Sequence, residues 1–288
     1  MREFDGRVAV VTGGASGIGF SLASAFAAEG MKIVLGDIEA PALDEAVAKL
    51  EASGAAVIGV VTDVSDGAQV QALADAAVAR FGAIHIACNN AGVGAGGLSW
   101  EAPVSTWEWV LGVNLWGVIH GLRAFVPILM EQSQGYVVNT ASIAGLVAGP
   151  LMGPYNASKH AVVALSETLH HEMAMMAPHV KVSVLCPGWV QTRIADSARN
   201  RPDEPEPESA GISAISELLH TLVDKGMSAD EVADKVLVAI RAEQFWILPH
   251  DAPGNFWTEF VNERAQSLLD RTNPLLRSPL TGGSGVDQ

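Results

Sequence analysis

The sequence predicts an α/β fold in which helices cover both faces of one parallel, doubly wound sheet. Short runs rich in β-branched residues alternate with longer, alanine-rich amphipathic segments over the first two thirds of the chain. A glycine-rich turn also joins the first such run to the first amphipathic segment. Strand-helix alternation with right-handed crossovers produces a parallel sheet. Ligands of such sheets bind beyond the carboxyl ends of the strands.

Each element follows from its own run of residues. The β-branched runs predict buried strands at Val8 to Thr12, Lys32 to Asp37, Ala56 to Asp63, Ile84 to Asn89, Tyr136 to Ser142 and Lys181 to Pro187. Amphipathic spacing predicts helices at Gly17 to Glu29, Ala42 to Ala52, Asp66 to Phe81, Thr106 to Met130 and Tyr155 to Met176. Ser105 and Glu108 have capping-box spacing for the fourth of these helices. A second box, Ser228 and Glu231, begins a later helix that leads to a last strand at Phe245 to Leu248.

The 288 residues predict a single domain with a C-terminal extension. We expect the domain to span residues 1–250 and the extension, 251–288, to form a short helix and a frayed tail. Prolines and charges prevent a regular element at 200–208, inside a loop that spans 193–227 at the ligand edge. A surface insertion and a substrate lid at 196–211 both fit this segment.

Composition limits the classes of partner. A hydrophobic share of 49% allows a large core, and the net charge of -15 repels nucleic acid and anionic membranes. The N-terminus has no apolar signal core, and we expect no stretch to approach the roughly 18 apolar residues that span a bilayer, so the prediction is a cytoplasmic protein. Cys88 and Cys186 each end an apolar run and are predicted to be buried thiols. The histidines lack metal-binding spacing, so no metal is expected.

The turn from Thr12 to Gly19 predicts a dinucleotide site. Backbone amides and the positive end of the following helix meet there and suit a pyrophosphate. A glycine-rich turn alone is weak support, but its position directly after the first strand is the expected context. The turn residues predicted to bind the cofactor are Gly13, Ser16, Gly17, Ile18 and Gly19.

Other strand ends complete this predicted site. A carboxylate at Asp37 would accept hydrogen bonds from ribose hydroxyls and repel a 2'-phosphate, which favours NAD over NADP. Asp63 and Val64 follow the third strand, where they could meet the adenine. Asn90 belongs to the small-residue run Asn89-Asn90-Ala91-Gly92, which lets the backbone approach the nucleotide closely.

Tyr155 and Lys159 stand four residues apart, so a phenol and an ammonium share one helix face. A fixed cation lowers the pKa of a nearby phenol, which could then exchange a proton with a substrate hydroxyl. Taken alone, such pairs are more often packing plus a solvated charge. Asn114 and Ser142 fall on the same ligand edge, although each alone would be read as a structural polar residue.

Together these motifs resemble the short-chain dehydrogenase/reductase family. The resemblance covers residues 5–195 and is carried, in order, by Thr12-Gly13-x-x-x-Gly17-x-Gly19, Asn89-Asn90-Ala91-Gly92, Ser142, Tyr155-x-x-x-Lys159 and Pro187-Gly188. It implies a Rossmann fold, NAD as cofactor and hydride transfer between a secondary alcohol and a ketone. Residues 196–288 match no motif of the family.

The resemblance also implies roles for individual residues. Tyr155 would be the general acid/base, while Lys159 would lower its pKa and hold the nicotinamide ribose. Ser142 would hydrogen-bond the substrate oxygen, and Asn114 would hold a water that links Lys159 to solvent. In the segment from Pro187 to Thr192, which resembles the family's nicotinamide-binding turn, Pro187, Val190 and Thr192 would bind the cofactor.

The substrate is predicted to be a small molecule that is bulky and largely apolar, with a cyclic, aromatic or steroid-like frame. The run between Ser142 and Tyr155 carries no charge, and 94–100 lies on the same edge. Packing of the sheet edge explains these side chains equally well. A 3-oxoacyl reductase fits less well because Asp37 disfavours NADPH. A catalytically silent nicotinamide sensor or structural subunit is opposed by the intact catalytic residues.

The resemblance further implies a homo-oligomer, either a tetramer or a dimer. The long helices Thr106 to Met130 and Tyr155 to Met176 could pair with their symmetry mates.

Overall fold

The computed structural model describes residues 1, 3–202, 217, 219–250 and 256–273. Within this part of the chain, seven parallel strands form one sheet in the order β3-β2-β1-β4-β5-β6-β7. The strands are β1 Val8–Thr12, β2 Lys32–Asp37, β3 Val57–Val61, β4 Ile86–Asn89, β5 Gly135–Thr140, β6 Val180–Leu185 and β7 Trp246–Ile247. The order reverses between β1 and β4, and ligands bind at such a switch point. The predicted doubly wound α/β class is confirmed.

Helices cover both faces of this sheet. They are α1 Gly17–Ala28, α2 Ala40–Ala52, α3 Gly67–Phe81, α4 Val104–Leu111, α5 Gly117–Met130, α6 Gly153–Met176, α7 Ala229–Ala242 and α8 Phe256–Asp270. Side chains of α1, α2 and α7 share one core cluster with Ala9 and Val11 of β1, while α3, α5 and α6 share another with Val8 and Val10. Alternate residues of β1 therefore enter opposite cores, which explains why residues 8–11 are all apolar.

The predicted helix from Thr106 to Met130 is two helices instead of one. A π-helical turn, Gly112–Trp116, separates α4 from α5. The capping box predicted at Ser105 is wrong, because α4 already begins at Val104 after Pro103 and the Ser105 hydroxyl accepts a hydrogen bond from Arg201. A proline fixes φ and readily precedes a helix start.

The second predicted capping box is confirmed at the start of α7. The Ser228 hydroxyl accepts a hydrogen bond from Glu231 N at 3.2 Å, and the Glu231 carboxylate accepts one from Ser228 N at 3.1 Å. Two amides at the helix start are thereby satisfied.

One apolar run corrects the expectation that no stretch approaches a membrane span. Val104–Met130 is long and apolar enough by length and composition to cross a bilayer. However, Val110, Phe125 and Leu129 of this run are buried in the protein core. A core helix packed against a sheet passes the same test of length and composition.

The C-terminal third closes over the ligand edge. Ile194–Asn200 forms 3-10 turns, and residues 219–224 are helical. Most of the segment considered as a lid, 203–211, lies outside the described residues, as does the predicted frayed tail from 274 onward. The predicted helix of the extension is α8, whose Arg264 donates a hydrogen bond to Leu146 O.

Candidate active site

A cavity of about 790 Å³ opens at the carboxyl ends of the strands. Its wall includes every predicted site residue except Gly19 and Asn114, which are buried. The predicted residues on the wall are Gly13, Ser16, Gly17, Ile18, Asp37, Asp63, Val64, Asn90, Ser142, Tyr155, Lys159, Pro187, Val190 and Thr192. The structure therefore brings residues that are distant in the sequence to one place.

The glycine-rich turn needs its glycines for conformation and for close packing. Gly13 and Gly17 have φ values of 63° and 51°, in the left-handed region that favours glycine. A side chain on Gly19 would overlap with Gly13 O, and one on Gly17 would press against Thr192. Within the described chain, the first turn of α1 has no acidic residue, and the Ser16 hydroxyl does not cap it. The positive end of α1 is thus available to an anion.

Thr12 and Asn90 tie the strand ends together beneath the cavity. The Thr12 hydroxyl accepts hydrogen bonds from Asn90 N at 2.9 Å and Ala91 N at 3.2 Å. The Asn90 amide donates to Thr12 O at 3.1 Å and accepts from the Thr140 hydroxyl at 3.2 Å. Thr12 and Thr140 were not among the predicted site residues, although their strand-end positions were a usable signal. These contacts fix β1, β4 and β5 relative to each other.

Asp37 joins the end of β2 to the glycine-rich turn. Its carboxylate accepts hydrogen bonds from Ala15 N at 3.0 Å and Glu39 N at 3.1 Å, one on each oxygen. A carboxylate oxygen has a second acceptor position, so Asp37 can still accept hydroxyl donors. At the end of β3, Asp63 accepts from Ser65 N and its hydroxyl at 2.9 and 2.7 Å.

The predicted catalytic pair lies on the first two turns of α6. Lys159 is 3% exposed, and its Nζ donates to Thr140 O at 3.0 Å. The same Nζ is 5.6 Å from the centre of the Tyr155 ring. The Ser142 hydroxyl lies beside that of Tyr155, accepts from Ala144 N at 3.1 Å and donates to Pro187 O at 3.4 Å. Two hydroxyls and one ammonium therefore meet at the cavity.

Burial dominates the protonation of this pair. It raises the pKa of Tyr155, and the Ser142 hydrogen bond offsets only part of that rise. Burial also lowers the pKa of Lys159 to about 8. The expectation that Lys159 lowers the pKa of Tyr155 stays a prediction, because the raised pKa reflects mainly the burial of the phenol. Burial of the neighbouring Cys186 thiol raises its pKa to about 12.

Asn114 lies in the π-helical turn and is fully buried. Its amide oxygen accepts from Val93 N at 2.8 Å, and its nitrogen donates to Val93 O at 2.9 Å and to the Ser158 hydroxyl at 3.1 Å. A Cβ on Gly92 would lie 3.3 Å from the Asn114 oxygen and 3.5 Å from Lys159 Nζ. Gly92 therefore keeps a small space between these two groups.

An ion-pair cluster closes one side of the cavity, and we call it the clasp. The Glu39 carboxylate contacts Arg199 Nη2 at 2.7 Å and Nε at 2.9 Å, Asn200 Nδ2 at 3.0 Å and Arg193 Nη1 at 3.7 Å. The hydrogen bond from Arg199 holds the pKa of Glu39 below its usual value. The clasp links the β2–α2 junction to the 3-10 segment Ile194–Asn200. No local pattern predicts this contact, which joins residues 160 positions apart.

The remaining cavity wall is mostly apolar. Its large apolar side chains include Leu98, Trp109, Val147, Met152, Trp189, Leu219 and Val223. Glu101 and Arg201 add charge, and the Arg201 guanidinium lies 5.6 Å from the centre of the Trp109 ring. Such a wall suits an apolar ligand with few polar groups.

Comparisons with known proteins agree with this arrangement. A family model described as short chain dehydrogenase matches residues 7–203. The 1-deoxy-11-beta-hydroxypentalenate dehydrogenase of Streptomyces avermitilis is 40% identical over 273 residues, which cover 93% of this chain and 90% of that protein. The C alpha-dehydrogenase of Sphingobium sp. is 31% identical over 287 residues, which cover 97% and 90%.

A solved structure extends the likeness to three dimensions. The short chain dehydrogenase/reductase from Burkholderia phymatum, determined in complex with NAD, has a TM-score of 0.92 and 48% identity, and the match covers 96% of this chain and 98% of that one. Relatives therefore share nearly the whole chain, including much of the part that carries no family motif.

Proposed function

Because the chain belongs to the short-chain dehydrogenase/reductase family, we propose that it is an NAD-dependent oxidoreductase that interconverts a bulky, largely apolar secondary alcohol and its ketone. One observation carries the proposal. Ser142, Tyr155 and Lys159 line the cavity that also holds the glycine-rich turn, with the Ser142 hydroxyl beside that of Tyr155 and Lys159 one helical turn further along α6.

The residues present fit NAD. The first amides of α1 would bind the pyrophosphate, Asp37 the adenosine ribose, and Asp63 and Val64 the adenine. Lys159 would hold the nicotinamide ribose. Val190 and Thr192 would bind the carboxamide, with Pro187 beginning their turn.

The same residues favour NAD over NADP. The Asp37 carboxylate would repel a 2'-phosphate. Two arginines on the cavity wall, Arg193 and Arg199, are paired with Glu39 and would have to leave it to bind that phosphate.

Proton transfer would run through Tyr155. NAD, when bound, supplies the hydride acceptor for oxidation, and NADH the hydride donor for reduction. The Tyr155 phenolate would take the alcohol proton, while Ser142 donates to the same oxygen and fixes it. Lys159 would stabilise the phenolate. A water in the space beside Gly92, between Asn114 and Lys159, would return the proton to solvent.

The apolar wall supports a substrate with a cyclic, aromatic or steroid-like frame. The test is NADH formation at 340 nm with secondary alcohols of increasing size, from 2-propanol through cyclohexanol and 1-phenylethanol to a hydroxysteroid. We expect turnover to increase with size. A preference for the smallest alcohol would contradict the substrate proposal but leave the reaction class intact.

Tyr155→Phe tests the reaction class. This variant should bind NADH like the unmodified enzyme and lose at least about 100-fold in turnover, since only the transferable proton is removed. Unchanged turnover in Tyr155→Phe would contradict the proposed reaction class. Tyr136→Phe is the control. It also removes one tyrosine hydroxyl, but that hydroxyl is buried in the protein core, where it contacts Ser183.

Asp37→Ala tests the cofactor proposal separately. NAD should bind about tenfold more weakly and the discrimination against NADP should shrink, because ribose acceptors and a repulsive charge are both lost. Equal binding of NAD and NADP to the unmodified enzyme, with no change in the variant, would show that Asp37 does not read the ribose.

A further inference from the structure

His250 contacts the backbone of the turn Pro187–Thr192 from a distant part of the chain. It follows β7, and its Nδ1 is 3.1 Å from Gly188 N while its Nε2 is 3.0 Å from Trp189 O. A backbone N–H can only donate and a carbonyl can only accept. Nδ1 must therefore be the acceptor and Nε2 must carry the proton, so both contacts define one neutral tautomer of the ring.

A second segment supports the same turn. Met227 N donates to Trp189 O at 3.0 Å, and Gln191 N donates to Met227 O at 2.9 Å. A Cβ on Gly226 would lie 2.5 Å from the carbonyl carbon and oxygen of Trp189. Trp189 O thus accepts from both Met227 and His250, which satisfies its two lone pairs.

These supports contact the turn from outside the cavity. Gly188, Trp189 and Val190 line the cavity wall, whereas His250 and Met227 do not. The turn therefore has one side toward the ligand and the other held by side-chain and backbone hydrogen bonds. Its position depends on residues that carry no family motif.

We propose that His250 is a positioning residue, which sets the backbone of Gly188 and Trp189 so that the turn can bind the nicotinamide. This rests on the proposed function, in which the turn from Pro187 to Thr192 binds the nicotinamide carboxamide. His250 acts through the turn and does not touch the reacting atoms. Groups that support a binding loop tune affinity without contacting the ligand.

Calorimetric titration with NADH and with ADP-ribose tests this role, because ADP-ribose lacks the nicotinamide. His250→Leu should weaken NADH binding about tenfold, through loss of two hydrogen bonds behind the turn, and leave ADP-ribose binding within about twofold. His250→Asn keeps an acceptor near the position of Nδ1 and loses the donor to Trp189. It should weaken NADH binding about threefold.

His179→Leu is the matched control, since in the described part of the chain the His179 ring, near the start of β6, hydrogen-bonds one backbone carbonyl, Met130 O. It should leave both affinities unchanged. Equal weakening of NADH and ADP-ribose, or no weakening of either, in His250→Leu and His250→Asn would overturn the proposal. If the unmodified enzyme binds NADH no more tightly than ADP-ribose, the proposed binding of nicotinamide by this turn is wrong. That result is distinct from the outcomes that overturn the role of His250 alone.

Discussion

At the residue scale, the burial of Lys159 costs stability, because its ammonium loses hydration inside the protein. Lys159 is 3% exposed, and burial lowers its pKa to about 8 from 10.5. Among the residues that the structure describes, its Nζ donates one hydrogen bond, to Thr140 O, a neutral carbonyl. Desolvation of the ammonium is therefore offset only in part. Retaining such a group is consistent with a role in catalysis rather than in stability.

Lys159→Met should raise the free energy of unfolding at pH 7 by up to about 3 kcal/mol while turnover is lost, because lowering the Lys159 pKa from 10.5 to about 8 corresponds to a cost of that size. Below pH 8 the lysine is charged in both the folded and the unfolded state, so the full cost is present. Between pH 8 and 10.5 the folded state releases the proton first, and the gain from Lys159→Met shrinks.

Urea unfolding at pH 7 and pH 9.5 measures this change. Lys181→Met is the control, since Lys181 is 39% exposed and pairs with Glu243 at the surface. It should change stability by less than about 0.5 kcal/mol. A Lys159→Met protein that is less stable than the control at pH 7 would contradict the argument.

The raised pKa of Tyr155 predicts how the rate depends on pH. Alcohol oxidation uses the phenolate, so kcat/KM for oxidation should increase with pH from 6 to 9, by up to about tenfold per unit below the pKa. Ketone reduction uses the neutral phenol, which the raised pKa keeps protonated, so kcat/KM for reduction should stay nearly constant over that range. Initial rates in both directions check this, and an oxidation optimum below pH 7 would show that Tyr155 is not the base.

At the scale of elements, the clasp joins the β2–α2 junction to the segment Ile194–Asn200. Glu39→Gln removes the charge that Arg193 and Arg199 share. Because the Glu39 side chain is 25% exposed, we expect a modest effect, a two- to fivefold faster release of NADH. Because the pKa of Glu39 is lowered, its carboxylate is charged at pH 7. The ion pairs of the clasp are lost only as the pH falls through that lowered pKa.

Stopped-flow displacement of NADH at about 0.05 M and 0.5 M salt measures this release. The unmodified protein should release NADH faster at high salt, and Glu39→Gln should respond less. Glu29→Gln breaks a comparable surface pair with Arg241 and is the control. Equal salt dependence in Glu39→Gln and the unmodified protein would show that the clasp does not restrain the segment.

The elements also show what sequence can and cannot predict. The central strands could be predicted because they are buried on both faces and so read as continuous apolar runs, as in Val8–Thr12. The π-helical turn at Gly112–Trp116 could not, because its Asn114 contacts Val93 and Ser158 only after the chain has folded. Local periodicity carries no information about such contacts.

The residues of the site also fall into those that the local sequence predicts and those that it does not. Glycines, strand-end acids and the Tyr155–Lys159 spacing follow from local rules, and the structure brings them to one cavity. His250, Thr140 and Glu39 support that cavity through contacts between distant segments. Nothing in their immediate sequence distinguishes them from ordinary polar residues.

At the scale of the whole molecule, several large apolar side chains remain exposed on the layer formed by α4, α5 and α6. Trp116 is 52% exposed, and Met175 and Met176 are 74% and 72% exposed. Exposed apolar patches mark interaction surfaces, and homo-oligomers bury such patches symmetrically. Light scattering after gel filtration should therefore give about four times the 30.1 kDa chain mass, or twice that mass for a dimer.

Trp116→Glu should shift this mass toward the monomer, because a buried, unpaired carboxylate opposes association. Val61→Glu is the control, since Val61 is 55% exposed on β3, at the other edge of the sheet. It should leave the mass unchanged. A monomeric unmodified protein would exclude the oligomer, and an oligomer that survives Trp116→Glu but is lost in Val61→Glu would place the interface on the β3 edge instead of the helical layer.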